Sequence, residues 1–162
     1  MTTQRLYLLL GANLGDRHHT LAQARQQLAQ HLGAVLQTST IYETAAWGLT
    51  DQPAYLNQVF LLETARSPEA VLAETQAIEQ ALGRVRAERW GARVIDIDLL
   101  FYNDLILNTP ALTLPHPYLH LRRFTLQPLA DIAPDLVHPV LKQTIRQLLD
   151  ACPDESQVIK FS

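Results

Sequence analysis

The densest chemistry in this 162-residue chain lies between Arg84 and Asp98. Ile95-Asp96-Ile97-Asp98-Leu99 alternates apolar and acidic residues. On a strand, side chains at i and i+2 share a face. Asp96 and Asp98 therefore point the same way, and Ile95, Ile97, Leu99 and Phe101 are expected to face the opposite way, into a core. Two carboxylates roughly 7 Å apart along a strand repel each other unless a cation sits between them. Hard oxygen ligands of this kind suit Mg²⁺, which takes one or two carboxylates and completes its shell with water and substrate phosphates. For an isolated pair, a solvated strand edge is the commoner explanation, so the surroundings decide.

Those surroundings are basic. Arg84, Arg86, Arg89 and Arg93 place four of the 13 basic residues in ten positions, opposed there only by Glu88. Arginine offers a planar fork of donors that matches phosphate bidentately. An arginine loop feeding a paired-aspartate strand is what a Mg²⁺–polyphosphate site requires. Further on, Pro115-His116-Pro117 precedes Arg122, Arg123 and Phe124, so His116 and Arg122 could also meet phosphate oxygens. Tyr55 and Asn57 alternate on a strand and share a face. An aromatic plate beside a side-chain amide can stack on a flat heterocycle and hydrogen-bond its edge. Gly11-Ala12-Asn13-Leu14-Gly15 lacks the third glycine of a dinucleotide fingerprint and the Gly-Lys-Ser/Thr of a P-loop, and reads as a turn. His18-His19 has no zinc-ligand spacing and reads as helix surface.

The elements that must position these groups are legible from periodicity. Arg5–Leu10 reads as a buried strand. Asp16 to Leu32 places Leu21, Ala24, Leu28 and Leu32 at helical spacing before Gly33. Ala34–Tyr42 and Tyr55–Thr64 read as strands around a loop, Glu43–Ala54. Ser67-Pro68-Glu69 opens a second helix, which runs to Leu82 with Gly83 as its stop. Arg84–Arg93 reads as a second long loop and Val94–Tyr102 as a strand. The proline-rich remainder should hold short helices, a last helix near Gln143–Leu149 and a terminal strand at Gln157–Phe161. The order β-α-β-β-α-β is the ferredoxin-like pattern, so the expected fold is an α+β sandwich with helices packed on an antiparallel sheet.

Length and composition agree with one domain over residues 1–162, since a chain of this size buries roughly 70% of its unfolded surface without a staple. The chain is 48% apolar and 18% charged, an ordinary globular balance. A lone Cys152 cannot form an internal disulfide, and no stretch is long and apolar enough for a membrane span, so a cytoplasmic protein is expected. The net charge of -3 argues against a protein held on nucleic acid by overall charge. It leaves room for a local anion site: 11 of the 13 basic residues are Arg, and the segment 84–93 carries +3 while the rest sums to -6.

Taken together, these motifs resemble the 6-hydroxymethyl-7,8-dihydropterin pyrophosphokinase family of folate biosynthesis. The resemblance is carried by Gly11–Gly15, Asp51–Asn57, Gly83–Arg86, the block Arg89–Leu100, Pro115–Pro117, Arg122–Phe124 and Ile132–Pro134. It implies transfer of pyrophosphate from ATP to the pterin hydroxymethyl group, giving AMP and the pterin diphosphate, with two Mg²⁺ ions. By position it implies that Asp96 and Asp98 hold both ions, and that Arg84 and Arg93 join them in catalysis. It assigns Gln76, Glu79, Arg86, Arg93, Leu99, Thr113, His116 and Arg122 to ATP. Thr44, Ala46, Trp47, Tyr55, Asn57 and Phe124 fall to the pterin. Ala45-Ala46 replaces a pair that is commonly Pro-Pro, which implies a differently packed first loop. A monomer acting on small molecules, with no nucleic-acid or membrane partner, is the expectation. Ferredoxin-like domains also bind RNA, but this chain has only 7% aromatics and no ribonucleoprotein motif. A non-catalytic nucleotide sensor would not need Tyr55, Asn57 and Phe124.

Overall fold

The structure, a computed structural model, describes residues 2–44, 54–83 and 94–161. Its centre is β1 (Gln4–Ala12), in which every residue from Leu6 to Ala12 is buried. A strand buried on both faces reads as an unbroken apolar run, which is why RLYLLL shows no alternation. β1 pairs antiparallel with β4 (Tyr55–Thr64) on one side and with β5 (Asp96–Tyr102) on the other.

The strand expected over Ala34–Tyr42 is two pieces, β2 (Gly33–Thr38) and β3 (Tyr42–Thr44), both antiparallel to β4. Ser39 makes the break, because its hydroxyl accepts the Val59 N–H at 2.9 Å where a strand backbone would have done so. β2 can begin hard against β4 because residue 33 is glycine: a Cβ there would lie 2.0 Å from the Glu63 carbonyl oxygen. The expected terminal strand is β8 (Val158–Lys160), paired with β3. The order β5-β1-β4-β3-β8, with β2 also on β4, is the antiparallel ferredoxin-like arrangement extended by one strand.

Helices α1 (Arg17–His31) and α2 (Pro68–Gly83) cover one face. Both start where their caps predict. The Asp16 carboxylate accepts the His19 N–H at 3.1 Å, and the Ser67 hydroxyl accepts the Ala70 N–H at 3.1 Å. Leu21, Leu28, Val71 and Ile78 from the helices meet Leu6, Leu8, Leu10, Leu56, Phe60 and Leu62 of the sheet, with Ile97 and Leu99 of β5. Each fully buried side chain of this size contributes about 1.5–3 kcal/mol relative to exposure.

The opposite face is only partly covered, by α3 (Arg123–Ile132) and α4 (Ile145–Asp150). They pack Leu126, Leu129, Ile145 and Leu148 on Tyr7, Leu9, Val59, Leu61 and Phe101. Phe101 is a correction. The register between β1 and β5 shifts at Tyr7/Leu8, which pair with Phe101 and Leu99 and leave Leu100 as an extra residue. This bulge turns Phe101 onto the second face, away from Ile97 and Leu99. α3 carries Pro128 inside it, which removes one helix bond, yet the burial of Leu126, Pro128 and Leu129 keeps the helix intact. A small hairpin of β6 (Leu107–Asn108) and β7 (Thr113–Leu114) leads to a cis Leu114–Pro115 bond. Among the described residues no helix is long and apolar enough to cross a membrane.

His138 closes this second layer. It is 5% exposed and stands edge-to-face on Phe101 at 5.6 Å. Its Nδ1 accepts the Val140 and Leu141 N–H groups at 3.2 and 3.1 Å. Burial first, and then the charge of His120, push its pKa below the usual histidine value. A folded-state pKa below the unfolded one means that its stabilisation is full above about pH 6.5 and declines as the unfolded chain takes up the proton first. His116, lowered chiefly by burial, adds to the same trend. Urea midpoints should therefore fall between pH 7.5 and pH 5.5. In His138→Asn, which keeps an acceptor but does not titrate, the fall should be smaller; an equal fall in both proteins would count against His138.

Candidate active site

Where α3 and α4 leave the second face bare, the sheet becomes the floor of a cavity of about 740 Å³. That size falls within the roughly 300–1,000 Å³ of small-molecule sites. The floor is contributed strand by strand: Asp96 and Asp98 from β5, Leu9 and Gly11 from β1, Tyr55 and Asn57 from β4, and Thr44 from β3. The alternation expected for Asp96 and Asp98, and for Tyr55 and Asn57, is what brings each pair to this face. Register completes the arrangement. Gly11 stands opposite Asp96 on one side and Asn57 on the other, and Asn57 in turn stands opposite Tyr42. With strands 4.7–4.9 Å apart, the backbones of Asp96 and Asn57 are separated by about 10 Å.

Gly11 is therefore a strand residue, not the start of a turn. A Cβ on it would lie 3.0 Å from Asn57 Nδ2 and 3.7 Å from the Tyr55 ring, in the gap between the carboxylates and the amide. The turn comes later, at Gly15, whose φ of 63° is the left-handed value that glycine tolerates.

The walls come from the segment after β7, with Tyr118, Leu121, Arg122 and Phe124, and from the C-terminal stretch, with Pro153 and Asp154. The Arg122 guanidinium lies between two rings, 5.4 Å from the Tyr118 centroid and 5.7 Å from that of Phe124. Two cation–π contacts hold this positive charge at the rim. His116 is half-buried, and its Nδ1 accepts the Tyr118 N–H at 3.2 Å. Burial and the Arg122 charge lower its pKa while Asp98 raises it, with a net lowering. The neutral ring thus carries its proton on Nε2, where it can donate.

Asp154 is a wall with a structural duty. Its carboxylate accepts the Arg123 N–H at 3.0 Å and both the N–H and hydroxyl of Ser156, at 2.9 and 2.5 Å. These bonds hold its pKa below the usual carboxylate range against the opposing effect of burial. Arg123 is occupied in return, donating from Nε to the Asp154 carbonyl at 2.8 Å. Arg123, next in sequence to Arg122, thereby locks the C-terminal stretch onto α3.

Among the described residues, three buried acceptors have no hydrogen-bond partner: Thr44 Oγ1, Asn57 Oδ1 and Asn13 Oδ1, the last with its Nδ2 likewise unpaired. Thr44 and Asn57 line the cavity, so their bare oxygens face a place where a polar ligand would satisfy them. The metal expectation is tested by the donor set. Asp96 and Asp98 are half-buried hard oxygen donors on one face. No group of three or more His, Cys, Asp or Glu surrounds them among the described residues. Two carboxylates with no further acidic ligand leave most of a coordination shell to water and phosphate, which fits Mg²⁺ and not an all-protein calcium cage.

Of the residues expected at a site, the cavity brings together Thr44, Tyr55, Asn57, Asp96, Asp98, Arg122 and Phe124. His116 stands close enough to Asp98 and Arg122 to feel both charges. Others lie apart. Gln76 is on the exposed side of α2, Thr113 is half-buried on β7, and the Leu99 side chain is sunk in the helix-covered core. Glu79 of α2 accepts the Ile97 N–H at 2.7 Å, bracing β5 between the two aspartates. Ala46, Trp47, Arg84, Arg86 and Arg93 lie outside the described residues. Leu9, Gly11, Tyr118, Leu121, Pro153 and Asp154 were not foreseen. Only Tyr118 carried a signal, as an aromatic two residues from His116.

The 7,8-dihydro-6-hydroxymethylpterin-pyrophosphokinase profile matches residues 7–134. A 2-amino-4-hydroxy-6-hydroxymethyldihydropteridine pyrophosphokinase of Methylorubrum extorquens is 45% identical over 146 residues, covering 90% of this chain and 91% of the relative. One from Aquifex aeolicus is 37% identical, covering 88% of each. Among solved structures, wild-type HPPK-DHPS of Plasmodium falciparum matches with a TM-score of 0.78 at 18% identity, over 93% of this chain and 45% of that one.

Proposed function

The chain belongs to the 7,8-dihydro-6-hydroxymethylpterin-pyrophosphokinase family, and from that premise we propose how its cavity divides the work. The enzyme transfers pyrophosphate from ATP to the hydroxymethyl group of 6-hydroxymethyl-7,8-dihydropterin, a step of folate biosynthesis that releases AMP. The observation that carries the division is the register Asp96–Gly11–Asn57. It sets an anion-handling end and a heterocycle-reading end about two strand spacings apart.

At the heterocycle end, the Asn57 amide and the Thr44 hydroxyl, each with a bare buried oxygen, read the polar edge of the pterin. The Tyr55 and Phe124 rings sandwich it, and Ala46 and Trp47 complete that end through backbone groups. At the other end, Asp96 and Asp98 would hold two Mg²⁺ ions. When bound, Mg²⁺ neutralises charge across the phosphates and lowers the pKa of the attacking hydroxyl. His116 donates from Nε2 to a phosphate oxygen. Arg122, held between its two rings, meets the same anion. Arg84, Arg86 and Arg93 supply further positive charge, and Gln76, Glu79, Thr113 and the backbone of Leu99, all outside the cavity lining, would meet the part of the nucleotide that extends beyond it. Phosphoryl transfer needs positioning and charge neutralisation more than covalent chemistry, and these residues provide both. The reading is of one monomeric, cytoplasmic domain spanning residues 1–162.

Mixing the purified protein with ATP, Mg²⁺ and the reduced pterin tests this directly. AMP and the pterin diphosphate should appear in equal amounts, with none when the pterin is left out. Release of ADP, or AMP formation independent of the pterin, would contradict it.

A further inference from the structure

Arg17 opens α1 and is not part of the cavity lining, yet it touches both ends of the connection that carries the heterocycle residues. One guanidinium nitrogen, Nη1, donates to Glu43 Oε2 at 2.8 Å and to the Ala54 carbonyl at 2.8 Å. Glu43 lies one residue before Thr44, and Ala54 one residue before Tyr55. Thr44 and Tyr55 pair with each other across β3 and β4, and both line the cavity. The guanidinium also stacks over the Phe161 ring at 5.6 Å, with the His18 ring tilted against that same phenyl at 6.3 Å. Phe161 follows β8, its N–H donates to the Ile41 carbonyl at 2.9 Å, and β8 backs Tyr42, Glu43 and Thr44 residue by residue.

We propose that Arg17 is a positioning residue for the heterocycle end of the cavity: it ties Glu43 to Ala54, and through Phe161 it joins that pair to the C-terminal strand. The proposal rests on the pterin reading of this end of the cavity. Its physical basis is one guanidinium nitrogen shared by two acceptors. The cation satisfies a carboxylate and a neutral carbonyl from one nitrogen, and this is possible only when the two acceptors are held close together. With side-chain exposures of 23% for Arg17 and 38% for Glu43, the pair is partly withdrawn from solvent screening. The spacing of Thr44 from Tyr55 is thereby fixed before any ligand arrives. Binding then no longer bears the ordering cost of that part of the site.

A purely structural role would lower stability and leave substrate discrimination alone; a positioning role splits the kinetic constants. In Arg17→Ala the KM for the pterin should rise about tenfold, while the KM for ATP changes less than about twofold. Arg17→Lys, which keeps the charge without the planar fork, should recover part of the loss. Phe161→Leu should shift the pterin KM in the same direction by about threefold. Adding it to Arg17→Ala should add little, because the two act through one contact. If Arg17→Ala does not fold, Glu43→Gln and Phe161→Leu carry the same test. Folded variants with an unchanged pterin KM, or with both KM values rising together, would overturn the proposal. A wild-type protein that makes no pterin-dependent AMP would instead overturn the reading of the site, so the two failures are distinguishable.

Discussion

Asp96→Ala and Asp98→Ala should each lower kcat for AMP formation by about a thousandfold or more while leaving the protein folded. Both side chains are half-buried on the cavity floor and contribute nothing to either apolar cluster, so no cavity opens in the core. Removing one of two like charges on the same strand face also relieves their repulsion. Metal-free Asp98→Ala should therefore melt no lower than wild type. Asp→Asn variants, nearly isosteric but unable to hold a hard cation as strongly, should lose activity almost as completely. That isolates charge from shape. Near-normal Mg²⁺-dependent AMP release by either alanine variant would remove the carboxylate pair from the mechanism.

The second large effect belongs to Asn57, which is 4% exposed and whose Oδ1 has no partner among the described residues. A buried acceptor without a partner costs about 1–3 kcal/mol, a cost that a ligand donor relieves on binding. Asn57→Ala removes both the cost and the recognition. We expect the pterin KM to rise about 30- to 100-fold with the KM for ATP nearly unchanged, and the free protein to be as stable as wild type or more so. Stability and affinity thus move in opposite directions, which ordinary damage to a core residue does not produce. A variant that melts well below wild type and loses both substrates equally would show Asn57 to be a packing residue.

What was legible in the sequence follows the range of the interaction. α1 and α2 announce themselves through local chemistry, Asp16 and Ser67-Pro68 at their starts, and both are found there. Tyr55–Thr64 stands as read, and the facing of Asp96 with Asp98 needs only a period of two. The misreadings all involve a partner distant in sequence. The bulge at Leu100 exists in the pairing of β5 with β1, so nothing within β5 could show that Phe101 crosses to the other face. Gly11 looks like a turn glycine until β4 and β5 are laid on either side of it. The structural duty of Arg123 is equally invisible in sequence, because Asp154, which accepts from its N–H and its guanidinium, lies 31 residues on. α3 is one of the short helices expected of the proline-rich remainder, but Pro128 blurs its bounds, because the burial that holds it together comes from the sheet and not from the helix itself. The site was therefore recognisable by its residue types, whereas its walls were not.

The place of Gly11 between Asp96 and Asn57 has a consequence for how errors in this enzyme would present themselves. A two-residue slip of β1 against its neighbours preserves the inward and outward sets, because strand faces repeat every two residues. Leu6, Leu8 and Leu10 would still be buried, and spectroscopy would report a folded sheet. Yet Leu9 or Asn13 would then occupy the station of Gly11 and fill the passage between the two ends of the cavity. A slipped molecule would be well folded by every global measure and inert towards its substrates. The missing methyl at residue 11 thus acts as a checksum on strand alignment, one that is read out only by turnover.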